Sequence, residues 1–299
     1  MQFYKNINCS ICNNKDFIVL KKGDYSKYSK KEIINLFSSS SDYFIDQLVQ
    51  CKNCKFVYLN PRLDTKIILH GYSNVVDKKF ITQDNYRLKT FANSLKKLKF
   101  FLNFNKKKIL DVGTANGTFI KACLKEKINA EGIEPSKWLV NQAKLNDNIN
   151  LYCGTFEKYK FKKKYDYIFF WDVLEHVFNI KVTRNKITKI LKKNGYLIIN
   201  CPDYNSLARK FLNFKWPFFL SVHLYYFEEK SLKTLFNNDF IFVKSFPHFQ
   251  YLELNYVLKR ASKYFYFFKF LIKLCKFIKI DKIPIKYNMG QTTYIFKKK

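Results

Sequence analysis

The feature that most constrains the fold is an apolar segment that runs directly into a glycine-bounded turn. Residues 108–113 have the pattern of a short buried strand, 114–117 that of a tight turn, and 118–125 that of a helix. This alternation continues along the chain and is typical of βαβ units, whose strands form a parallel sheet. Gly113 and Gly117 allow the backbone to approach a ligand closely and turn helix N-terminal amides towards it. The sequence therefore predicts an α/β fold with a ligand at the carboxyl end of this strand.

An acidic residue ends the next predicted strand. Residues 130–134 form that strand, and Glu134 stands 17 residues after Gly117. A carboxylate at this position accepts hydrogen bonds from a ribose diol in nucleotide-binding folds. The alternative is a solvated acid at a strand end. A dinucleotide is the less favoured ligand, because the GxGxxG spacing is absent and Asp111 suits an amino-acid moiety better than a pyrophosphate.

Together with four later segments, these two motifs resemble the class I S-adenosylmethionine-dependent methyltransferases. The resemblance extends from about Ile109 to Phe296, and residues 292–296 have the pattern of a closing strand. The chain departs from the family pattern at Lys193 and Asn194, which replace the usual Pro-Gly. The six motifs follow the family's order, at residues 110–117, 132–136, 154–157, 165–177, 191–200 and 223–227.

The resemblance implies a Rossmann-like sheet of seven mostly parallel strands, with S-adenosylmethionine bound over the strand tips. It also implies a set of cofactor-binding residues at the ends of the first four strands, namely Asp111, Gly113, Thr114, Gly117, Glu134, Pro135, Ser136, Thr155, Phe156, Trp171 and Asp172. Asp111, Gly113 and Gly117 would surround the methionine end, and Glu134 would hold the ribose. The adenine would be flanked by Pro135, Ser136, Thr155 and Phe156, and the pocket beneath the sulfonium would be closed by Trp171 and Asp172.

Four cysteines near the N-terminus form two CxxC pairs, Cys9 with Cys12 and Cys51 with Cys54. Each CxxC turn places two thiolates on one side of a tight loop, and two such turns complete a tetrahedral zinc shell. Disulfides would need an oxidising compartment, and the first residues lack the apolar region of an export signal. A redox CxxC would occur singly at the start of a helix. We therefore predict a structural Zn²⁺ ion, which leaves no coordination position for a substrate.

These patterns divide the chain into three segments. Residues 1–75 are predicted to form the zinc-binding module, with a loop at 38–41, residues 76–107 a connecting helix, and residues 108–299 the methyltransferase domain. A four-cysteine module ahead of such a domain resembles the methyltransferases of sugar and surface-polysaccharide biosynthesis. Those that methylate carbon in nucleotide-linked keto sugars carry a further C-terminal domain, which this sequence does not include. We therefore expect O- or N-methylation of a sugar, a nucleotide-sugar or a related small metabolite.

The candidates for proton removal follow the strand of the fourth motif. Asp172, Glu175 and His176 are spaced to share one face of a helix at the pocket rim. His176 is the first candidate for the general base and His223 the second, with Glu175 beside them. Two alternatives stay open. Either His176 is a buried structural residue, or these four side chains bind a divalent cation, as similar sets do in some small-RNA and quinone-precursor methyltransferases.

Two later segments are rich in aromatic residues. Residues 206–227 follow the fifth strand and are predicted to form a lid over the acceptor, with Trp216, Pro217 and Tyr225 as contacts. Residues 257–283 have the pattern of a basic amphipathic helical insertion, with lysines on one face and apolar residues on another. Such a helix is suited to lie on an anionic membrane. The alternative is a surface insertion packed by its own aromatic side chains.

The formal net charge of +32 points first to a polyanionic partner such as nucleic acid. Only five of the 55 basic residues are arginine, however, and specific nucleic-acid recognition relies on the planar guanidinium. We therefore interpret most of the lysine excess as a general feature of the composition and not as a binding surface for a polyanion. We expect a cytoplasmic protein with a small-molecule acceptor, and peripheral contact with an anionic membrane stays an open alternative. An RNA methyltransferase and a metal-assisted O-methyltransferase are the alternative functions.

Overall fold

The computed structural model describes residues 3–29, 32–33, 43–64, 67, 81–262 and 265–299 of the 299-residue chain. The loop predicted at 38–41 lies outside the described residues, as does the beginning of the predicted connecting segment at 76–80. Within the described ranges, no helix combines the length and the apolar character that crossing a membrane requires.

The N-terminal strands form two small antiparallel sheets around the cysteine turns. They are β1 (Tyr4–Lys5), β2 (Phe17–Lys21), β3 (Leu48–Cys51), β4 (Val57–Leu59) and β5 (Arg62–Leu63). β1 pairs with β5, and β2, β3 and β4 pair in that order. The first CxxC turn lies between β1 and β2, and the second lies between β3 and β4. The strand pairing therefore brings the two turns together.

A seven-stranded sheet follows, and helices connect most of its parallel strands. In chain order the elements are α1 (Asp84–Leu98), β6 (Ile109–Val112), α2 (Thr118–Lys125), β7 (Ala130–Glu134), α3 (Lys137–Asp147), β8 (Tyr152–Cys153), β9 (Tyr165–Trp171), α4 (Ile180–Ile190), β10 (Leu191–Pro202), α5 (Leu207–Leu212), β11 (Tyr225–Tyr226), α6 (Glu229–Phe236), β12 (Phe240–Pro247), β13 (Gln250–Glu253), α7 (Leu254–Ala261), α8 (Phe267–Phe277), β14 (Pro284–Tyr287) and β15 (Gln291–Lys298). The sheet order is β12-β15-β10-β9-β6-β7-β8, in which β15 runs antiparallel to both neighbours and the other pairs are parallel. The prediction of a Rossmann-like, mostly parallel sheet is confirmed.

The central strands are buried on both faces, because helices cover each side of the sheet. In β6, Leu110 belongs to one hydrophobic cluster and Ile109 to the other. In β9, Phe170 and Phe169 are divided between the same two clusters. Consecutive strand residues point to opposite faces, so a strand buried on both sides has a continuous apolar sequence, as residues 167–171 do.

The N-terminal strands are packed directly on the later part of the chain. β11 pairs antiparallel with β4, and buried apolar residues of both parts form one continuous cluster. Arg62 is 6% exposed and lies where the N-terminal strands pack on the later part of the chain. Its guanidinium donates hydrogen bonds to Phe178 O and Leu224 O, each at 3.1 Å, and to Tyr225 Oη at 3.0 Å. Folding of the N-terminal sheet is therefore coupled to folding of the segment around β11.

Replacing Arg62 with alanine is expected to lower the free energy of unfolding by about 3 kcal/mol, because buried acceptors lose their charged donor. Chemical denaturation followed by circular dichroism measures the change. Arg184→Ala is the matched control, since its ion pair with Asp239 is only partly buried and such pairs contribute about 1 kcal/mol or less. Equal losses in the two variants would contradict the role of Arg62 in joining the two parts.

Candidate active site

A cavity of about 730 Å³ opens at the carboxyl ends of the parallel strands. Its walls come from the tips of β6, β7 and β9, from α1, from the segment after β10 and from the α7–α8 insertion. Ligands of open α/β sheets bind at this edge, outside the carboxyl ends of the strands. The volume lies in the upper part of the roughly 300–1,000 Å³ range of small-molecule sites.

The turn after β6 permits a close backbone approach at Gly113. Its φ of 65° lies in the left-handed region, and a Cβ there would stand 2.6 Å from Val173 Cγ2. Both conditions favour glycine. Gly113, Thr114 and Ala115 line the cavity, whereas Gly117, with a φ of 79°, is the N-cap of α2 and does not line it. The first predicted glycine therefore faces the cavity, and the second shapes the turn.

Asp111 lies in β6 with its side chain at the cavity wall. The residue is 2% exposed, and Oδ1 has no hydrogen-bond partner among the described residues. Burial, and to a lesser extent the charge of Glu134, raises the pKa of this carboxyl to about 8. A cationic or hydrogen-bond-donating ligand group at Oδ1 would offset the cost of that burial.

Glu134 is held in a defined orientation at the tip of β7. It is 7% exposed, and its Oε2 accepts a hydrogen bond from Ala115 N at 3.0 Å while Oε1 accepts one from Ser136 N at 2.9 Å. Burial raises the pKa of this carboxyl to about 7, although the two backbone donors act in the opposite direction. Each carboxylate oxygen can accept a second hydrogen bond. A diol can therefore be bound from the cavity side, which Glu134 lines.

The other predicted cofactor residues fall into two groups. Those that line the cavity are Pro135, Thr155, Phe156, Trp171 and Asp172. Ser136 does not line it, because this residue is 3% exposed and its Oγ accepts a hydrogen bond from Leu139 N at 3.3 Å. That contact caps the start of α3 and satisfies one of its free amides. Ser136 therefore caps a helix instead of facing the cavity as predicted.

Asp172 departs from the helical arrangement predicted for it. Its φ of 54° is left-handed, and only the three residues Leu174–His176 form a short 3-10 helix. Three side-chain amides donate to its carboxylate, from Asn200 and Gln291 at 2.7 Å and from Gln250 at 3.3 Å. The prediction that Asp172 shares a helical face with the following acid and histidine is therefore wrong. These amides bind it to the tips of β10, β13 and β15 instead.

Glu175, His176 and His223 come together at the cavity wall. One potential ligand atom from each lies within 4.8 Å of the others, and the two imidazole centroids are 4.7 Å apart. Asp172 is not part of this group, so three of the four predicted cation ligands meet. Burial raises the pKa of Glu175, lowers the pKa of His176 to about 4 and holds the pKa of His223 well below its usual range. Both imidazoles are therefore neutral at physiological pH.

Residues 84–239, just over half of the chain, match a protein family described as a methyltransferase domain. The chain belongs to this family. Its mostly parallel sheet of seven strands is the one that the sequence predicts for a class I S-adenosylmethionine-dependent methyltransferase domain. The match begins at α1 and ends just before β12, so it includes the strand tips and the acid–histidine cluster.

Among curated proteins, the methyltransferase is similar to ubiquinone biosynthesis O-methyltransferases. It is 24% identical to the enzyme of Bradyrhizobium diazoefficiens over 103 residues, which are 33% of this chain and 41% of that one. It is 31% identical to the enzyme of Pelagibacter ubique over 97 residues, which are 31% of this chain and 40% of that one. The chain thus spans about two fifths of the length of these curated relatives.

Solved structures of methyltransferases also resemble this one. A S-adenosylmethionine-dependent methyltransferase from Archaeoglobus fulgidus matches at 14% identity with a TM-score of 0.49, over 74% of this chain and 100% of that one. Another from Thermotoga maritima matches at 17% identity with a TM-score of 0.46, over 72% of this chain and 91% of that one. The sheet order, rather than these likenesses, defines the fold of the methyltransferase.

The rest of the cavity wall comes from residues that the sequence did not single out. α1, predicted only as a connecting helix, contributes Arg87 and Phe91, and the insertion contributes Tyr256, Arg260 and Phe268. The α7–α8 insertion therefore forms one wall of the cavity and is also a surface element. The sequence did offer one signal for these residues. It contains only five arginines, and two of them line the cavity.

The segment at 206–227 lies against the cavity, but two of its predicted contacts point elsewhere. Pro217 lines the cavity, and its contact with the acceptor stays a prediction. Trp216 is fully buried, and its Nε1 donates a hydrogen bond to Met289 O at 2.6 Å. Tyr225 is 1% exposed and its hydroxyl donates to a backbone carbonyl at 3.0 Å. The acceptor contacts predicted for Trp216 and Tyr225 are therefore wrong, because both side chains are engaged in the core.

The four cysteines of the CxxC turns form a second cluster, and none of them lines the cavity. Cys9 Sγ is 3.4 Å from Cys54 Sγ, and Cys12 Sγ is 3.5 Å from Cys51 Sγ. A disulfide, with sulfurs about 2.05 Å apart, is absent from the cluster as described. In both turns the residue after the second cysteine has a left-handed φ, 62° and 63°, and its amide donates to the carbonyl of the first. The two turns therefore present their thiols in the same way.

Proposed function

We propose that this methyltransferase transfers the methyl group of S-adenosylmethionine to a hydroxyl group of a sugar or nucleotide-linked sugar. The observation that carries the proposal is the continuity of the cavity, since the strand tips and the cluster of Glu175, His176 and His223 line the same space. A cofactor at the tips and an acceptor at the cluster would be adjacent, as an in-line displacement requires.

For the cofactor, we assign Asp111 to the ammonium group of the methionine moiety and Glu134 to the ribose diol. The unpaired buried Oδ1 of Asp111 supports the first assignment. The two backbone amides that orient the Glu134 carboxylate support the second. Pro135 and Phe156 would flank the adenine through apolar contact, and Gly113 would let the backbone approach the methionine end.

Glu134→Gln is expected to weaken S-adenosylmethionine binding by about 10- to 100-fold, since hydrogen bonds to a charged group contribute about 1.5–3 kcal/mol. Isothermal titration calorimetry measures the dissociation constant. Glu131→Gln is the matched control, because Glu131 lies on the same strand but binds Lys163 and Tyr152 outside the cavity wall. An unchanged dissociation constant for Glu134→Gln would refute the ribose assignment.

Methyl transfer from a sulfonium needs alignment and the removal of one proton from a hydroxyl acceptor. A lone pair of the acceptor oxygen forms the bond to the methyl carbon while the C–S bond breaks. The electrons of that bond stay on sulfur, which becomes a neutral thioether. His176 is the proposed acceptor of the hydroxyl proton and His223 the second candidate, because both line the cavity beside Glu175 and each places its Nδ1 against a backbone carbonyl, which leaves Nε2 as the basic nitrogen.

We assign the basic residues of the cavity wall to an anionic sugar derivative. Lys215 and Arg260 provide positive charge, and a guanidinium group can bind phosphate oxygens in a bidentate manner. Arg87, by contrast, already pairs with Asp84 at 3.5 Å. Tyr256 and Phe268 provide aromatic rings against which a sugar ring can pack. This combination favours a sugar that carries a phosphate or diphosphate over an uncharged one.

A hydroxylated aromatic ring is the second candidate acceptor. The relatives' name as ubiquinone biosynthesis O-methyltransferases supports it, as do the aromatic walls of the cavity. The test is incubation of the purified protein with labelled S-adenosylmethionine and pools of nucleotide-sugars, lipid-linked glycans, catechols and RNA. Label in the nucleotide-sugars is expected. Label in catechols would support the aromatic acceptor, and label in RNA alone would overturn the small-molecule acceptor altogether.

We also propose that the four cysteines bind one structural Zn²⁺ ion. The donor set supports this, because four thiolates from paired CxxC turns match a closed tetrahedral zinc site. Cys9 and Cys51 are buried and the other two are half-buried, so the ion would be shielded from solvent on one side. All its coordination positions would be occupied by protein. The ion would stabilise the N-terminal sheet and take no part in methyl transfer.

Peripheral contact with an anionic membrane is the proposed role of the outer face of α8. Phe267, Phe270 and Phe277 are 64%, 63% and 85% exposed, and the exposed Lys269 and Lys273 stand among them. Aromatic side chains beside lysines favour binding at a lipid interface. Co-sedimentation with phosphatidylglycerol vesicles is expected, and replacing both lysines with glutamate should reduce it. Equal sedimentation of the two proteins would exclude this contact.

A further inference from the structure

Glu175 is a buried carboxyl group without a partner. It is 1% exposed, and neither of its oxygens has a hydrogen-bond partner among the described residues. Asp172, three residues earlier, is by contrast saturated by side-chain amides. A carboxyl that is unpaired in the protein interior is costly unless a ligand or an ion is bound beside it. The Glu175 side chain lines the cavity, so such a partner can reach it.

The two histidines beside Glu175 are oriented for metal ligation. Nδ1 of His176 lies 2.9 Å from Val222 O, and Nδ1 of His223 lies 2.8 Å from Phe218 O. A carbonyl oxygen can only accept a hydrogen bond, so each Nδ1 carries the hydrogen and each Nε2 keeps its lone pair. Metal-binding histidines almost always donate their other ring nitrogen to a carbonyl or carboxylate in this way.

We propose that Glu175, His176 and His223 bind a divalent first-row transition-metal cation. Two imidazole nitrogens and one carboxylate form a three-ligand set that leaves further coordination positions open. Those positions would face the cavity, since all three residues line it. One potential ligand atom of each residue lies within 4.8 Å of the others. Ligand atoms bound at about 2.1 Å from one ion lie about 3 Å apart, so side-chain movements of up to about 2 Å would form the site.

This inference rests on the proposed methyl transfer to a hydroxyl, and it changes the role of His176 from base to ligand. Glu175, His176 and His223 would hold the cation, and its positive charge would make a nearby acceptor hydroxyl more acidic. The hydroxyl proton would leave to water, the oxygen would form the bond to the methyl carbon, and the electrons of the C–S bond would stay on sulfur. No group is oxidised or reduced, so the cation acts by charge alone.

The test is titration of the purified protein with Mn²⁺, followed by electron paramagnetic resonance, with neither acceptor nor turnover. Mn²⁺ is the probe because it is paramagnetic and prefers oxygen and nitrogen ligands to the thiolates of the cysteine turns. The expected result is one bound Mn²⁺ per chain, with couplings from two imidazole nitrogens. This signature needs no substituted protein.

Glu175→Gln and His223→Gln are each expected to weaken Mn²⁺ binding by at least about tenfold, because each removes a ligand. His248→Gln is the matched control. His248 and His223 are both 5% exposed, but His248 lies beside Thr293 and is not part of the cluster. Circular dichroism and titration with S-adenosylmethionine establish that each variant is folded.

Absence of Mn²⁺ binding by the unsubstituted protein would overturn the inference, as would equal binding by folded Glu175→Gln. Either result leaves the proposed methyl transfer standing, because label transfer to acceptors is measured separately and His176 then stays the proposed base. Failure of label transfer with intact Mn²⁺ binding would refute the proposed function and leave the metal site standing.

Discussion

Replacing His176 with alanine is expected to reduce kcat by about 100- to 10,000-fold while leaving S-adenosylmethionine binding nearly unchanged. His176 lies beside His223 on the cavity wall and takes no part in the glycine turn that approaches the cofactor. The fall in kcat is expected whether the imidazole acts as a base or as a metal ligand. Transfer of labelled methyl groups measures kcat, and isothermal titration calorimetry measures cofactor affinity.

The control for this prediction is His248→Ala, because His248 is a buried histidine outside the cluster. Its substitution should leave kcat well above that of His176→Ala. Lost cofactor binding in His176→Ala would contradict the prediction and give the side chain a structural role, through its contact with Val222 O. Unchanged turnover would remove His176 from the reaction altogether.

The second large effect is expected at the cysteine cluster, where Cys51→Ser should leave little stably folded protein. A structural zinc site has an apparent binding free energy of about 10–16 kcal/mol, whereas a whole domain is stable by about 5–15 kcal/mol. Cys51 is fully buried, and the N-terminal sheet shares its core with the rest of the protein. Zinc content and the melting temperature measure the effect.

Cys153→Ser is the matched control, because Cys153 is exposed and lies outside the cluster. That variant should keep its zinc and its melting temperature. Treatment of the unsubstituted protein with a zinc chelator should lower the melting temperature as Cys51→Ser does. A protein freed of zinc that melts at the original temperature would contradict the structural role of the ion.

The fold was predictable because its signals are local. The predicted helix at 118–125 has the bounds of α2, and the predicted strand at 130–134 has those of β7. The strand predicted at 108–113 contains β6 and is one residue longer at each end. An apolar run that ends at a glycine turn allows few conformations other than a buried strand followed by a helix. Parallel strands then place their carboxyl ends at one edge, which is why motifs far apart in sequence meet there.

The candidate site was predictable only in part. Glu175, His176 and His223 were predicted and do meet. Asp172, in contrast, was predicted to share their helical face, but its amide partners lie 28, 78 and 119 residues further along the chain. Trp216 was predicted to contact the acceptor, but its indole binds a carbonyl 73 residues away. Spacing rules describe near neighbours along the chain and contain no information about such distant partners.

The sequence by itself determined the fold class, the glycine turn with its acidic strand tips, and the paired cysteine turns. These features depend on residues that are close together along the chain, where backbone conformation and turn geometry act. Only the tertiary structure decided that α1 and the α7–α8 insertion bring Arg87 and Arg260 to one cavity. It also decided that Glu175 is buried there with no hydrogen-bond partner for its carboxyl oxygens in the described part of the chain. Burial and side-chain hydrogen bonding act through space between distant segments, so they are settled only when those segments pack together.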